Sequence, residues 1–376
     1  MLDICIIGGG AAGMTAAICA KEENPDSRIL ILEKKNQLGR KIAATGNGKC
    51  NLSNAACPKA DETLDFFERL GVLTRTDEEG RIYPYTEEAA AVRDALEQRI
   101  HKLGIEVMTS SEVQSVEKQD CFVVELKNKT LRARKLLIAC GGKAGAAFGS
   151  TGDGFRFAKK FGHRVEKPIP VLTAVEVKED LEKLSGIRAK AEVKLFYKDE
   201  MIFTEKGEVQ FTKTGISGIC VFNMSRHLLL PEGASFEGGF DDYRIEIDFF
   251  PERDEMDSLL ELRKAQGLTG QKVLQFLVRR PVAEMIYEGA KGDTAACARA
   301  LKAFPLSPRG VRGWDFAQVT KGGVALSEVS PQTFESKLVE GLYFAGEVLD
   351  YDGPCGGFNL QHAWESGMRA GREMAK

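Results

Sequence analysis

Apolar and polar positions along the chain fall into short β-type runs and longer helical periods, punctuated by glycine. The run Leu2-Asp3-Ile4-Cys5-Ile6-Ile7 predicts a strand that breaks straight into Gly8-Gly9-Gly10-Ala11-Ala12-Gly13 and then into a helix-forming stretch ending near Lys21. A second strand is expected over residues 28–32, ending at Glu33. Residues 87–103 place Val92, Leu96, Ile100 and Leu103 on one helical face, with Gly104 as the cap. Four β-type runs follow, over 105–108, 113–117, 121–126 and 135–139, as a meander returning to the main sheet. That meander leads into Cys140-Gly141-Gly142. Gly149-Ser150-Thr151-Gly152-Asp153-Gly154 then opens a helix through Phe161, ended by Gly162-His163.

The pattern changes at Pro168. From there to about Phe250 the chain alternates in short β-rich pieces with glycine turns, including residues 192–197 and 244–248, which predicts a small sheet or barrel. Residues 251 to about 303 read helical, and beyond Pro308 the first pattern resumes. The middle is therefore expected to be an insertion. The division is 1–166 with 309–376 as one discontinuous domain, 167–250 as a β-barrel part of the insert, and 251–308 as its helical part.

At 376 residues, more than one domain is expected. Apolar residues at 43% and charged residues at 28% describe an ordinary globular enzyme, which excludes a disordered chain. No apolar run approaches the roughly 18 residues of a spanning helix, and no charged leader precedes the first strand, so a cytoplasmic protein is expected. A net charge of −3 gives no global field for nucleic acid, leaving RNA unindicated but open. Nine cysteines without a C-x-x-C pair form no disulfide framework and suit a reducing compartment. His101, His163, His227 and His362 lie far apart with no cysteine at ligand spacing, so no metal site is expected.

The glycine turn carries the chemistry. Gly8 lets the turn tighten, Gly10 lets the backbone approach a pyrophosphate, and Gly13 lets the helix pack closely on the strand. The phosphates would face a helix N-terminus, whose unpaired N–H groups hold an anion without basic side chains. Glu33 stands where a carboxylate accepts from ribose hydroxyls, about 20 residues beyond the turn. A dinucleotide is therefore expected, and only one such turn occurs in the chain. A flavoenzyme with a separate nicotinamide domain would show two.

The turn, together with Ala44-Thr45-Gly46-Asn47-Gly48-Lys49-Cys50-Asn51, the 149–154 stretch, Gly341-Leu342-Tyr343-Phe344-Ala345-Gly346-Glu347 and Asp352-Gly353-Pro354-Cys355-Gly356-Gly357-Phe358-Asn359-Leu360-Gln361, resembles the BaiN/RdsA-like (YhiN-type) family of NAD(P)H/FAD-dependent oxidoreductases from end to end. The resemblance implies an α/β fold: a Rossmann-like FAD-binding domain of the two-dinucleotide type, interrupted by an insert of a β-barrel plus a small helical bundle. It also implies FAD as cofactor and NADH or NADPH as electron donor. Family members are associated with reducing a conjugated C=C bond in steroid-like bile acid intermediates, and uracil in ribosomal RNA. Both reactions deliver hydride to the carbon β to a carbonyl while an acid protonates the α carbon.

On this resemblance the ADP half falls to Gly8, Gly10, Ala12, Gly13 and Glu33. Lys34, Arg40 and Lys41 are candidates to add charge there, although Lys34 reads equally as a solvated lysine. Ala44, Thr45, Gly46, Asn47, Gly48 and Asn51 would present backbone N–H groups to the pyrophosphate and flavin ring. Val113 is a candidate for adenine, with core packing as the alternative. Gly141 and Gly142 would lead the chain past the cofactor, or form a plain turn. Gly346 and Glu347 would meet ribityl or phosphate hydroxyls, with Glu one methylene longer than the Asp many related enzymes carry. Gly357, Phe358, Asn359 and Leu360 would aim a helix N-terminus at the flavin N1–C2=O edge.

Cys355 is the candidate proton donor, by position and thiol chemistry alone. A small packing role is the alternative, and Cys50, Tyr351 and His362 stand behind it. Residues 211–218 and 320–324 resemble family loops near the flavin but also read as hinge turns. Arg279, Arg280, Arg309 and Arg312 read most simply as surface residues. The expected function is an FAD-dependent reductase acting on a small enone or a nucleobase. Alternatives are an oxidase using O₂, a ribosomal RNA dihydrouridine synthase, or a non-enzymatic redox sensor or RNA-binding factor. Oligomeric state is left open.

Overall fold

The first apolar run folds as strand β1 (Leu2–Ile7) in a computed structural model that describes residues 1–228 and 239–376. β1 pairs in parallel with β2 (Ile29–Leu32) on one side and with the strand Lys129–Ile138 on the other. Glu106–Met108 extends the sheet beyond β2, and Leu342–Phe344 joins the far side of Lys129–Ile138, again in parallel. Parallel neighbours need a crossover, and α1 (Ala11–Glu23) supplies the one between β1 and β2. All four β2 residues are buried, as expected where both faces of a sheet are covered.

The strand expected over 135–139 is longer. Its first half, from Lys129, pairs antiparallel with Phe122–Leu126, which pairs with Val113–Lys118, while its second half enters the parallel sheet. One strand thus serves both meander and main sheet. The exposed, charged residues of its first half hide it from an apolar pattern. The 87–103 helix spans Ala89–Lys102 with Val92, Leu96 and Ile100 buried.

α1 lies against the C-terminal helix, Phe358–Met374, with almost no side chain between them. A Cβ on Gly367 would stand 2.5 Å from the Ala12 carbonyl oxygen, and one on Gly371 would stand 2.3 Å from that of Ala16. The two glycines, one turn apart, let the backbones touch.

The chain divides into one unit of residues 1–170 and 318–376 and another of 171–317. The second boundary lies beyond the expected 308/309, because Pro308–Val311 pairs with Val175–Val177 and so belongs to the insert. Within the insert, seven strands form an antiparallel sheet. Its two ends are Phe304–Leu306 and Pro308–Val311, separated by Ser307 alone, so the sheet curls round on itself. No ladder joins these two strands among the described residues. Pro305 and Pro308 offer no N–H for a ladder between these two strands. Helices Met256–Ala265, Arg280–Gly289 and Thr294–Lys302 share one core with this sheet, Leu260, Ile286 and Leu301 packing in the same cluster as Val193, Phe211 and Ile247.

Candidate functional site

The β1–α1 turn has the shape of an anion cradle. A Cβ on Gly8 (φ +110°) would lie 2.3 Å from the Ala139 oxygen, and one on Gly13 would lie 1.9 Å from the Gly8 oxygen. A Cβ on Gly10 would meet nothing within 4 Å. The first two glycines are demanded by the chain's own packing, whereas Gly10 borders open space at the head of α1. No acidic residue occupies the first turn of α1. Its N–H groups are left to an anion.

Glu33 closes the cradle. Its Oε2 accepts from the Gly9 N–H at 2.9 Å and its Oε1 from the Lys35 N–H at 2.8 Å, so the carboxylate is fixed while each oxygen keeps acceptor capacity. Gly9 is a site residue that the spacing of the motif does not single out. A Cβ there would stand 2.2 Å from Leu38 Cδ2, and the run of three glycines was the available signal. The Ser111 N–H donates to the Glu33 carbonyl at 2.9 Å, bringing the start of the Val113 strand to this end of β2. Val113 itself is buried.

The basic side chains after β2 turn to the 141–153 segment. Lys34 Nζ pairs with Asp153 at 2.6 Å and also reaches the Thr151 hydroxyl. Burial pushes the Asp153 carboxyl up, but the hydrogen bonds from Lys34 and Thr151 outweigh it and hold the pKa below the usual aspartate value. Arg40 donates to the Ala147 carbonyl at 3.4 Å. Lys41 Nζ bonds to the Ala144 carbonyl at 3.0 Å and to Glu347 Oε2 at 2.6 Å. Glu347 Oε1 accepts from the Thr320 N–H at 2.9 Å, and the Thr320 hydroxyl accepts from the N–H groups of Lys143 and Ala144 at 2.8 and 2.9 Å. Gly142 makes room for this knot, since a Cβ there would lie 2.3 Å from Thr320 Oγ1 and 2.8 Å from Glu347 Oε1. Gly141 takes φ +73° beside Ser150.

The loop of Ala44, Thr45, Gly46, Asn47 and Gly48 is largely exposed, with Gly46, Asn47 and Gly48 all at positive φ. It is joined to the C-terminal turn through the residues that follow it. With its amide set to satisfy both partners, Asn51 donates to the Ser53 carbonyl at 3.0 Å and accepts from the Gly357 N–H at 3.3 Å. Ser53 Oγ bonds to Gln361 at 2.7 Å, Asn54 donates to the Gly356 carbonyl at 2.9 Å, and the Trp364 indole donates to the Leu52 carbonyl at 3.0 Å. The two polar glycine motifs, some 300 residues apart, therefore share one wall. Asn359 shapes the turn from inside, accepting from the Gly353 N–H at 2.8 Å and donating to its carbonyl at 2.9 Å. Phe358 and Leu360 are half-buried beside it.

None of the nine cysteines is in a disulfide, and seven are buried. Cys50 is one of them, and burial pushes its thiol up to about 11. Cys140 is pushed up to about 12 by burial and donates to the Ile7 carbonyl at 3.5 Å. Cys355 stays half-exposed in the 353–357 turn. Ser53, Asn54, Thr320, Gln361 and Ser366 carry much of the site's hydrogen bonding; Thr320 and Gln361 lie in stretches singled out by the sequence, whereas Ser53, Asn54 and Ser366 carry no motif signal of their own.

Residues 2–62 and 58–373 match the family model described as the HI0933-like protein Rossmann domain. The chain belongs to the HI0933-like family. It is 34% identical to a 3-dehydro-bile acid delta(4,6)-reductase of Clostridium scindens, with both chains covered in full. It is 28% identical to the ribosomal RNA dihydrouridine synthase of Escherichia coli, over 99% of this chain and 98% of that one. This membership makes the protein an FAD-dependent oxidoreductase of a flavoprotein family. Its fold resembles that of a 3-ketosteroid delta1-dehydrogenase from Sterolibacterium denitrificans, with TM-score 0.55 at 13% identity over 100% of this chain and 99% of that one. A flavocytochrome c3 fumarate reductase gives TM-score 0.53 at 16% identity, over 100% of this chain and 78% of that one. The open space over Gly10, the acid-free head of α1 and the fixed Glu33 carboxylate fit the ADP half of FAD. No helix among the described residues is long and apolar enough to cross a membrane, and they hold no cluster suited to a metal ion.

Proposed function

We propose that the protein reduces a carbon–carbon double bond conjugated to a carbonyl in a small, largely apolar molecule, with NADH or NADPH as the source of electrons. The observation that carries this reading is the cradle at Gly8–Gly13 together with the 44–51 loop, which residues 51–54 join to a second glycine turn that bears a half-exposed thiol. Two relatives matching over nearly the whole chain have names that imply C=C reduction, one in a bile acid and one in ribosomal RNA. The insert favours the small molecule. Its residues 171–317 carry 21 Lys and Arg against 24 Asp and Glu, which gives no basic field for an RNA backbone.

Bound FAD would supply the hydride. Gly8, Gly10, Ala12 and Gly13 would hold the pyrophosphate at the head of α1, Glu33 the adenosine ribose, and Val113 the adenine through its backbone. Lys34, Arg40 and Lys41 act by bracing the 141–153 segment. Glu347, fixed by Lys41 and the Thr320 N–H, would face the ribityl hydroxyls. The 44–51 loop and the residues Gly357, Phe358, Asn359 and Leu360 would flank the ring, with the positive end of the helix dipole stabilising negative charge near N1. Cys355 would hold the proton for the substrate's α carbon. Nine cysteines without a disulfide suit a reducing compartment such as the cytoplasm.

The test is anaerobic rapid mixing of the FAD-loaded protein with NADH or NADPH, followed by a conjugated steroid enone, ribosomal RNA or O₂. Fast reoxidation by the enone supports the proposal. Reoxidation by RNA alone moves the substrate to a nucleobase, and reoxidation by O₂ alone makes the enzyme an oxidase. For the proton donor, Cys355→Ala should slow single-turnover enone reduction by about 10²-fold or more, the usual weight of a general acid. An unchanged rate would remove Cys355 from that role.

A further inference from the structure

The stretch Thr320-Lys321-Gly322-Gly323-Val324 reads from the sequence as a loop near the flavin or as a hinge turn, and the fold fixes it along both edges. On one edge the Gly323 carbonyl accepts from the Glu166 N–H at 2.8 Å, and the Ala325 N–H donates to the Arg164 carbonyl at 3.0 Å. On the other the Val324 N–H donates to the Val348 carbonyl at 2.9 Å, and the Val324 carbonyl accepts from the Asp350 N–H at 3.0 Å. Both glycines are demanded by this fit. A Cβ on Gly322 would stand 2.4 Å from the Lys167 oxygen, and one on Gly323 would stand 2.7 Å from that of Val348. A segment held in this way is a rail and not a hinge.

The rail delivers Thr320, which is fully buried. Its hydroxyl accepts from the successive N–H groups of Lys143 and Ala144 at 2.8 and 2.9 Å, which uses both oxygen lone pairs. Its own N–H donates to Glu347 Oε1 at 2.9 Å. Lys41 closes the circuit, donating to Glu347 Oε2 at 2.6 Å and to the Ala144 carbonyl at 3.0 Å. Lys41, Ala144, Thr320 and Glu347, far apart in the sequence, thus form one closed ring of hydrogen bonds. Within it the Thr320 hydroxyl and the Glu347 carboxylate lie side by side, since a Cβ on Gly142 would stand 2.3 Å from Thr320 Oγ1 and 2.8 Å from Glu347 Oε1. Two converging backbone N–H groups attract an anion. With the hydroxyl gone, the nearest anion to fill that pair is Glu347 itself.

We propose that Thr320 is a positioning residue for the cofactor: its hydroxyl occupies the Lys143–Ala144 N–H pair that would otherwise draw in the Glu347 carboxylate, and so fixes both the 141–144 peptides and Glu347 for FAD. This rests on the reading of Gly141, Gly142 and Glu347 as part of the FAD site. Thr320 acts through these groups and not on FAD directly.

The experiment compares Thr320→Val, which keeps the shape and the backbone N–H but removes the acceptor, with Thr320→Ser, which keeps the hydroxyl. Hydrogen exchange of the peptide spanning 141–147 in the apoprotein reports the ring without any cofactor, and titration with FAD reports its consequence. In Thr320→Val, exchange at 141–147 should rise about tenfold or more and the FAD Kd should weaken about tenfold or more. Thr320→Ser should stay within about threefold of the wild-type Kd. In a Glu347→Gln background, where no carboxylate remains to be drawn in, Thr320→Val should cost less than about threefold further. The proposal is overturned if Thr320→Val binds FAD like wild type, if Thr320→Ser is as weak as Thr320→Val, or if the full tenfold loss persists beside Glu347→Gln. Should Thr320→Val fail to fold, Thr320→Ala, which lets water reach the freed N–H groups, carries the same expectation and the same refutation. Wild-type protein that fails to bind FAD overturns the assigned cofactor site and this proposal with it, whereas FAD-binding wild type beside an unaffected Thr320→Val overturns this proposal alone.

Discussion

Gly10 separates what the chain needs from what its ligand needs. In Gly10→Ala the new methyl meets no protein atom within 4 Å, and the residue's φ of −87° with ψ −165° is open to alanine. Two small effects act on the apoprotein in opposite directions. Loss of unfolded-state freedom stabilises by about 0.4–1 kcal/mol, while alanine at the helix N-cap costs about as much relative to glycine. Apoprotein stability should therefore change by less than about 0.5 kcal/mol. FAD meets a different surface. A methyl in the space assigned to the pyrophosphate acts as overpacking, costing about 1–3 kcal/mol, which is roughly 5- to 150-fold in Kd. With FAD at about 100 times the wild-type Kd, ligand binding adds about 2.7 kcal/mol, and a hundredfold weaker variant would lose about 2.3 kcal/mol of it. Chemical denaturation with and without FAD, beside a direct titration, measures both terms. Wild-type affinity in Gly10→Ala would show that no phosphate passes over this residue. A destabilised apoprotein would show that the space is not open.

Gly13→Ala should behave in the reverse sense: its methyl would fall 1.9 Å from the Gly8 oxygen, so the apoprotein should lose about 1–3 kcal/mol before any ligand is added, and an unchanged denaturation midpoint refutes the close packing. In the insert, buried Asp248 faces Lys302 at 2.9 Å and Lys194 at 3.4 Å. Asp248→Ala removes the buried carboxylate that both ammonium groups share, leaving Lys194 to Glu192 and Lys302 to the Phe250 and Arg253 carbonyls, and should cost about 2 kcal/mol, whereas a loss below about 1 kcal/mol by urea unfolding would mean that the cluster is solvated. Burial pushes His362 down from 6.5 to about 4. Its contribution is thus complete above pH 6.5 and is lost as pH falls towards 4, by about 3 kcal/mol in all. The difference in unfolding free energy between wild type and His362→Asn should shrink over that window, and parallel profiles would count against a buried neutral ring.

Much of the dinucleotide half was legible because it is local. A strand, a glycine turn and a helix lie within the first 23 residues, and each glycine's task follows from φ or from Cβ sterics within that stretch. The strand at 129–138 was half missed, since its exposed charged half has no apolar signature of its own. Strand spacing predicted a small sheet or barrel without choosing between them, because spacing carries no information on how the ends of a sheet meet. Pro305 and Pro308 bear on that only once register places them at the two ends.

By itself, then, the sequence determined the local chemistry: a cradle for an anion at Gly8–Gly13, an acid at Glu33, and a polar glycine turn that bears Cys355. Only the tertiary structure decided which distant groups complete them. It gave Lys34 to Asp153 and Lys41 to Glu347, joined Asn51, Ser53 and Asn54 to residues 356–361, and set the Ser366 hydroxyl against the Gly346 N–H. The physical reason is that a hydrogen bond between residues hundreds of positions apart depends on the packing of whole elements. Here that packing is the contact of two helices through Ala12, Ala16, Gly367 and Gly371, which no local propensity encodes.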